Sequence, residues 1–156
     1  MNLWSGRAED RGRGAGGCAA WCDTDFVGTD GAGGGKFATA DALADAVLAA
    51  WAPRGATPYV VCTGGEPLLQ LDAALIAALR ARGATIAIET NGTQPVPAGI
   101  DWVCVSPKAG APLAISGGDE LKLVYPQPGA PPELAPAHLG ALRFTHYFLQ
   151  PLDGPD

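Results

Sequence analysis

The stretch Tyr59-Val-Val-Cys-Thr-Gly-Gly-Glu-Pro67 decides the fold, because it joins an apolar run to a glycine turn. Its first four residues are mostly β-branched and predict a short strand that is buried on both faces. The two glycines permit unusual φ angles and let backbone groups approach a ligand closely. An ordinary strand-to-helix turn is the alternative, but such a turn needs one glycine at most. The pair therefore favours a binding turn, in which Glu66 could accept from an ammonium group.

Helices and strands alternate along the rest of the chain. Thr39 is a candidate N-cap for a helix over residues 40–52, and a second helix over 69–82 is closed by Gly83. Further strands are predicted at residues 85–89, 102–106, 120–125 and 146–150. This alternation predicts an α/β fold with a mostly parallel sheet. Residues 1–36 are rich in glycine and show no periodicity, so they are predicted to be irregular.

Composition excludes several classes of function. The chain has 156 residues, enough for one domain with a sizeable core, and 47% of them are hydrophobic. A net charge of −6 and a pI near 4.7 argue against a nucleic-acid partner, which requires a cationic face. No apolar stretch approaches the roughly 20 residues that span a bilayer. The polar N-terminus lacks the apolar segment of a signal peptide.

Polar residues cluster where the predicted strands end. They are Thr63, Glu66, Glu89, Thr90, Asn91, Ser106, Lys108, Gln150 and Asp153. Ligands of parallel α/β sheets and barrels bind at the carboxyl ends of the strands. A ligand site is therefore predicted along this edge.

Two of these strand ends suggest specific chemistry. A buried carboxylate costs several kcal/mol unless it is paired, so Glu89 is expected to meet a partner or the donors of a ligand. A solvated strand end is the alternative for Glu89. Ser106-Pro-Lys108 offers a hydroxyl and a cation, which suit a carboxylate or a ribose.

The four cysteines fall into two kinds. Cys62 and Cys104 lie within β-like runs and are interpreted as small buried side chains. Cys18 and Cys22 lie in a polar loop and could bind a soft metal or an iron–sulfur cluster. Two thiols underfill both a zinc site and a cubane, so free thiols or a redox pair remain alternatives. A reducing cytoplasm fits all four.

Taken together, these motifs resemble the 7-carboxy-7-deazaguanine synthase family of radical-SAM enzymes. The segments that carry the resemblance are Asn2-Leu-Trp-Ser-Gly-Arg-Ala-Glu-Asp10, Cys22-Asp-Thr-Asp-Phe-Val-Gly-Thr-Asp30, Gly35-Lys-Phe-Ala-Thr39, Val61-Cys-Thr-Gly-Gly-Glu-Pro67, Ile88-Glu-Thr-Asn-Gly-Thr93, Asp101 with Val105-Ser-Pro-Lys-Ala109, Asp119-Glu-Leu-Lys122 and Leu149-Gln-Pro151.

The resemblance implies a fold and a reaction. The fold would be a partial (β/α)6-type radical-SAM barrel, with a cluster-binding loop region at residues 1–36 and the α/β core at 37–156. A [4Fe–4S] cluster would reduce S-adenosylmethionine to a radical that abstracts hydrogen from 6-carboxy-5,6,7,8-tetrahydropterin. Ring contraction with loss of ammonia would then give 7-carboxy-7-deazaguanine, for queuosine and other 7-deazapurines.

The resemblance also implies roles for individual residues. Thr63 and Glu89 would grip the pterin, with Glu89 pairing with its guanidine-like edge. The expected ligands of S-adenosylmethionine are Gly64, Gly65, Glu66, Asn91, Ser106, Lys108 and Gln150. Cys18 and Cys22 would bind iron, and Thr24 would bind a Mg²⁺ ion that touches the substrate.

The resemblance finally implies a homodimer that works with a reductant protein such as flavodoxin in the cytoplasm. We expect the family's first strand, its closing helix and the residue corresponding to its first cluster cysteine to lie outside this sequence. The activity of the chain as given is therefore expected to be impaired. A non-catalytic remnant or a small two-thiol metal or redox module is the alternative.

Overall fold

A computed structural model describes residues 2–3, 34–51, 55–127 and 135–152. Seven strands lie in these ranges: β1 (Asn2–Leu3), β2 (Gly35–Lys36), β3 (Tyr59–Cys62), β4 (Thr85–Thr90), β5 (Trp102–Val105), β6 (Gly117–Tyr125) and β7 (Arg143–Pro151). The two α-helices are α1 (Ala40–Ala49) and α2 (Ala73–Ala81), and 3₁₀ turns occupy Pro67–Leu69 and Pro136–Ala141.

The main sheet has five strands in the order β3-β4-β5-β6-β7, and every neighbouring pair is parallel. The predicted α/β class with a mostly parallel sheet is therefore confirmed. Closure into a barrel and the division at residue 36 stay predictions. The prediction that β3 is buried on both faces was wrong, because Tyr59 and Val61 are each 46% exposed on the face that the helices leave open. β1 and β2 pair antiparallel in a separate ribbon of two strands, so the prediction that residues 1–36 are irregular was wrong at these four positions.

Both helices begin with a side-chain cap. Thr39 Oγ1 accepts from Ala42 N–H at 3.1 Å, as predicted for α1, and Asp72 Oδ1 accepts from Leu75 N–H at 2.8 Å. The prediction that the second helix begins at residue 69 was wrong, because the Pro67–Leu69 turn precedes it and α2 starts only after the Asp72 cap. α1 ends at Ala49, three residues earlier than predicted.

The helices cover one face of the sheet. Leu43 of α1 and Leu79 of α2 share a buried cluster with Ile86 and Ile88 of β4. A second cluster forms farther along the sheet around Leu121 and Leu123 of β6. The partly buried residues that pack against both clusters are Leu68, Val96 and Val103. Burial of these apolar side chains stabilises the sheet against the helices.

Aspartates fix the start of two strands. Asp101 Oδ2 accepts from Ile86 N–H of β4 at 2.8 Å, and Asp119 Oδ2 accepts from Val103 N–H of β5 at 2.8 Å. The hydrogen bond from Ile86, assisted by the nearby Arg80 guanidinium, holds the pKa of the Asp101 carboxyl below its ordinary value. These bonds set the register of neighbouring strands and hence the alignment of their carboxyl ends.

The helices in the part of the chain that the structure describes do not meet the requirements of a membrane span. None of its helices combines the length and the apolar character that crossing a bilayer requires.

Candidate functional site

The glycine turn follows β3 as predicted. Gly64 and Gly65 take φ angles of +77° and +54°, which L-residues with a side chain rarely adopt. A Cβ atom added to Gly64 would meet no atom within 4 Å, so open space adjoins the turn. The backbone there can approach a ligand directly.

Glu66 joins this turn to the end of β4. It is only 4% exposed, and its carboxylate accepts from three donors. Its Oε1 accepts from Leu68 N–H at 3.0 Å and from Thr90 Oγ1 at 2.7 Å, and its Oε2 accepts from Asn91 N–H at 2.8 Å. Since a carboxylate offers about four acceptor positions, an additional donor can still be accommodated.

Asn91 is buried directly after β4, and among the described residues only the oxygen of its side-chain amide has a hydrogen-bond partner. The side-chain Oδ1 accepts from Thr93 N–H at 2.9 Å and closes a tight turn. The Nδ2 group is buried and makes no hydrogen bond to the residues that the structure describes. A buried donor without a partner is costly, so this amide fits a site that a ligand acceptor completes.

Hydrogen bonds fix the conformation of the segment that follows β5. Lys108 Nζ donates to Ser106 Oγ at 2.7 Å, and Ser106 N–H donates to the carbonyl of Thr90 at 2.7 Å. Gln127 is buried two positions after the end of β6 and supports this segment. Its side chain accepts from Ala109 N–H at 2.9 Å and donates to the Pro107 carbonyl at 2.8 Å. Sequence reasoning missed Gln127, since nothing local marks its partners.

Glu89 lies near the carboxyl end of β4, on the face of the sheet that the helices leave uncovered. Its Oε2 accepts from Thr63 Oγ1 at 3.5 Å, and its Oε1 contacts Lys122 Nζ of β6 at 3.1 Å. Glu89 therefore has partners, as expected, but its side chain is 42% exposed and not buried, so part of it is also solvated. Lys122 was not among the predicted site residues, although its strand carries charges and leucines in strict alternation from Glu120 to Leu123.

A row of side chains crosses the sheet at the level of Glu89. The strand register places Glu89 opposite Cys104, Cys104 opposite Glu120, and Glu120 opposite His146. The rings of His146 and Trp102 stack with centroids 5.7 Å apart on this face. The row combines two carboxylates, a thiol and aromatic rings on one surface of the sheet.

Both described cysteines have thiols that stay protonated at neutral pH in the absence of a metal ion. Burial raises the pKa of the Cys62 thiol to about 11. Burial, assisted by the Glu120 carboxylate, raises the pKa of the Cys104 thiol to about 12. The reactive thiolate form is therefore scarce in both. Cys104 is fully buried, as predicted, whereas Cys62 is half-buried against the helix-side cluster.

The remaining predicted residues lie apart from this arrangement. Gln150 is exposed on the edge strand β7, opposite Val124. Cys18, Cys22 and Thr24 lie outside the described residues, so their roles stay predictions. Within the described ranges no group of three or more His, Cys, Asp or Glu side chains could hold a metal ion.

Close relatives carry a single name. A 7-carboxy-7-deazaguanine synthase of Bordetella pertussis is 62% identical to this chain over 154 residues, which is 99% of the chain and 70% of the relative. Proteins of the same name from Caulobacter vibrioides and Bradyrhizobium diazoefficiens are 59% and 54% identical over 155 residues, again 99% of the chain and 70% of each relative. No protein-family model matches the chain.

Proposed function

This chain belongs to the 7-carboxy-7-deazaguanine synthase family of enzymes, and from that premise we propose that it serves the conversion of 6-carboxy-5,6,7,8-tetrahydropterin to 7-carboxy-7-deazaguanine. The reaction contracts the ring and releases ammonia, as part of queuosine and 7-deazapurine biosynthesis. One observation supports the proposal above the others: Glu66 ties the glycine turn after β3 to the end of β4. This link gathers Thr63, Glu89 and Asn91 at one edge of the sheet.

The described residues fit S-adenosylmethionine chemically. Gly64 and Gly65 would present backbone groups to its methionine part, and Glu66 would accept from the methionine amine. The buried Nδ2 of Asn91 would donate to an acceptor of the same ligand. Ser106, Lys108 and Gln150 would line the remainder. When bound beside a reduced [4Fe–4S] cluster, S-adenosylmethionine supplies the radical that starts the reaction, and the protein supplies position and the exclusion of water.

Glu89 and Thr63 would bind the pterin. The pyrimidine edge of a pterin carries two adjacent N–H donors, which match the two oxygens of a carboxylate. The Glu89 carboxylate is 42% exposed and reachable by a ligand on the open face of the sheet. Thr63 Oγ1 lies 3.5 Å from Oε2 and would hold that oxygen in place. These two residues thereby orient the substrate without taking part in its redox chemistry.

The metal part of the proposal concerns residues outside the described ranges. Cys18 and Cys22 would ligate iron, and Thr24 would ligate Mg²⁺. A cubane that leaves one iron for S-adenosylmethionine needs three thiolates. Cys62 packs on the helix-covered side of the sheet and Cys104 lies on the open side, and neither belongs to a described group of side chains that could hold a metal ion. We therefore expect impaired turnover by the 156-residue chain, and binding is the more decisive measurement. A homodimer and a flavodoxin-like reductant belong to the same proposal.

Calorimetry with S-adenosylmethionine tests the cofactor site. Titrations are made before and after anaerobic addition of iron and sulfide, and the protein is expected to bind S-adenosylmethionine in both, through the residues that fit its methionine part. Asn91→Asp keeps Oδ1 but replaces the free donor by an acceptor, so it should weaken this binding by about tenfold, the equivalent of one hydrogen bond.

The matched control is Asp45→Asn on the exposed surface of α1, which should bind like the wild type. Failure to bind S-adenosylmethionine both before and after the addition of iron and sulfide would contradict the proposal and favour a non-catalytic remnant. Absorption from the two thiols without S-adenosylmethionine binding would favour a small metal or redox module.

A further inference from the structure

Lys122 of β6 forms an ion pair with Glu89 of β4, across the intervening strand β5. Its Nζ lies 3.1 Å from Oε1 of Glu89, although β5 separates their strands, β6 and β4. The register explains how the contact forms: Glu89 is opposite Cys104, and Cys104 is opposite Glu120, which precedes Lys122 by two positions. Lys122 therefore reaches diagonally over the β5 position that Cys104 occupies.

The intervening residue makes this reach possible. Cys104 is small and 3% exposed, so its side chain leaves room above β5 for the lysine stem. Glu120 lies opposite Cys104 in the strand register, on the same face of the sheet. The ammonium group of Lys122 instead contacts Glu89 on the far side of the thiol. The lysine side chain is only 25% exposed, which restricts its alternative conformations.

The two oxygens of Glu89 have different partners. Lys122 contacts Oε1, whereas Thr63 Oγ1 approaches Oε2. A carboxylate held at both oxygens has a defined plane, and it still has acceptor positions for a ligand. Without the lysine, a half-exposed glutamate would be free to rotate into solvent.

We propose that Lys122 is a positioning residue that sets the substrate specificity of Glu89. It fixes the plane of the carboxylate so that two adjacent N–H groups of a ligand are recognised together. The ligand class is a pterin with the 2-amino-4-oxo edge, and the inference rests on the proposed function in that respect. A lumazine carries a carbonyl in place of the 2-amino group, so it would set an acceptor against the fixed carboxylate.

Discrimination between these two ring systems tests the role. The fluorescent probes are 6-carboxypterin and 6-carboxylumazine, titrated anaerobically into the reconstituted protein with S-adenosylmethionine present. The readout is the ratio of the two dissociation constants, which general effects on folding leave unchanged. We expect wild type to prefer the pterin by about a hundredfold, because the carboxylate meets two donors on the pterin edge but meets an acceptor on the lumazine edge.

Lys122→Met should lower this preference at least about tenfold, since a mobile carboxylate no longer rejects the lumazine edge. Lys122→Arg restores a cation and should recover most of the preference. Arg143→Met removes a positive charge at the start of β7 and should leave the preference unchanged. In a Glu89→Gln background, Lys122→Met should alter the preference no further, because the carboxylate that it positions is absent.

Each outcome has a distinct meaning. If Lys122→Met retains the wild-type preference, or weakens both ligands equally, the inference is overturned while the proposed function stands. If the wild-type protein binds neither ring system, or binds them equally, the proposed pterin site fails and this inference fails with it. A reduced preference that Lys122→Arg recovers supports the assignment.

Discussion

At the scale of single residues, Gly92 has the least room of the turn residues at the candidate site. Its φ angle is +80°, and an added Cβ would lie 2.7 Å from Leu113 Cδ2 and 2.8 Å from Val105 Cγ1. Two separate penalties therefore oppose a side chain at this position, one from the backbone conformation and one from packing. The close approach keeps the turn after β4 against the segment that follows β5.

The substitution Gly92→Ala should lower the free energy of unfolding by about 3 kcal/mol, since strain and overpacking add. Urea denaturation followed by circular dichroism measures this change. Gly110→Ala is the matched control: Gly110 has a similar φ of +79°, but a Cβ there meets nothing within 4 Å. Gly110→Ala should cost about 1 kcal/mol. Equal losses in the two variants would contradict the role assigned to packing.

Sequence reasoning identified residues whose position in a strand fixes their place, but it missed those that depend on distant partners. Glu89 and Asn91 could be placed at the site because they lie around the end of a recognisable strand, Glu89 within it and Asn91 directly after it. The contacts of Lys122 and Gln127 could not be predicted, since their partners lie 33 and 18–20 positions away in the chain respectively, and only the strand order brings them together. Alternation on β6 and the resemblance of Asp119-Glu-Leu-Lys122 to the family were the signals that could have indicated Lys122.

At the scale of secondary-structure elements, the start of α2 shows how local hydrogen bonding overrides periodicity. Leucines at positions 68, 69 and 71 continue the apolar pattern toward α2, which made the helix seem longer than it is. Glu66 instead caps a 3₁₀ turn by accepting from Leu68 N–H, and Asp72 then caps the α-helix. The ends of β3, β4 and β5 were predicted to within one residue, because their runs are short and bounded by turns, whereas β6 and β7 begin three residues earlier than predicted.

The Asp72 cap should contribute a measurable part of the stability of α2. Asp72→Ala leaves Leu75 N–H without its acceptor and should lower the free energy of unfolding by about 1 kcal/mol. Asp72→Asn keeps an acceptor oxygen and should lose only the smaller interaction of the charge with the helix dipole, about 0.5 kcal/mol. Urea denaturation measures both, and a loss in Asp72→Asn as large as that in Asp72→Ala would show that the cap bond is unimportant.

At the scale of the whole molecule, the sheet separates an apolar helix-covered side from an open side that carries both charged and exposed aromatic side chains. Cys62 packs against the helix-side cluster, whereas Cys104 lies in the row that includes Glu89 and Glu120. The amino-acid alternation within each strand predicts that a strand has two faces, but the sequence does not say which strands share a row. The five-strand register supplies this information and makes the open side one continuous surface.

The two buried thiols should make the whole fold sensitive to alkaline pH. Their pKa values rise from an ordinary 9.0 to about 11 for Cys62 and about 12 for Cys104. Above pH 9 the unfolded chain releases these protons while the folded chain retains them, so the unfolded state binds fewer protons. The free energy of unfolding must then fall as pH rises from about 9 toward about 11, and this contribution is fully present below pH 9.

Urea midpoints at pH 8 and pH 10.5 test this linkage. The wild-type midpoint should fall more between the two values than that of the double variant Cys62→Ala and Cys104→Ala, which lacks both titrating groups. Comparison within each protein removes the cavity cost of the alanines, and Lys and Tyr residues titrate equally in both proteins. If the midpoints of the two proteins fall by the same amount, the fold does not hold these thiols protonated, and burial does not raise their pKa values as the structure indicates.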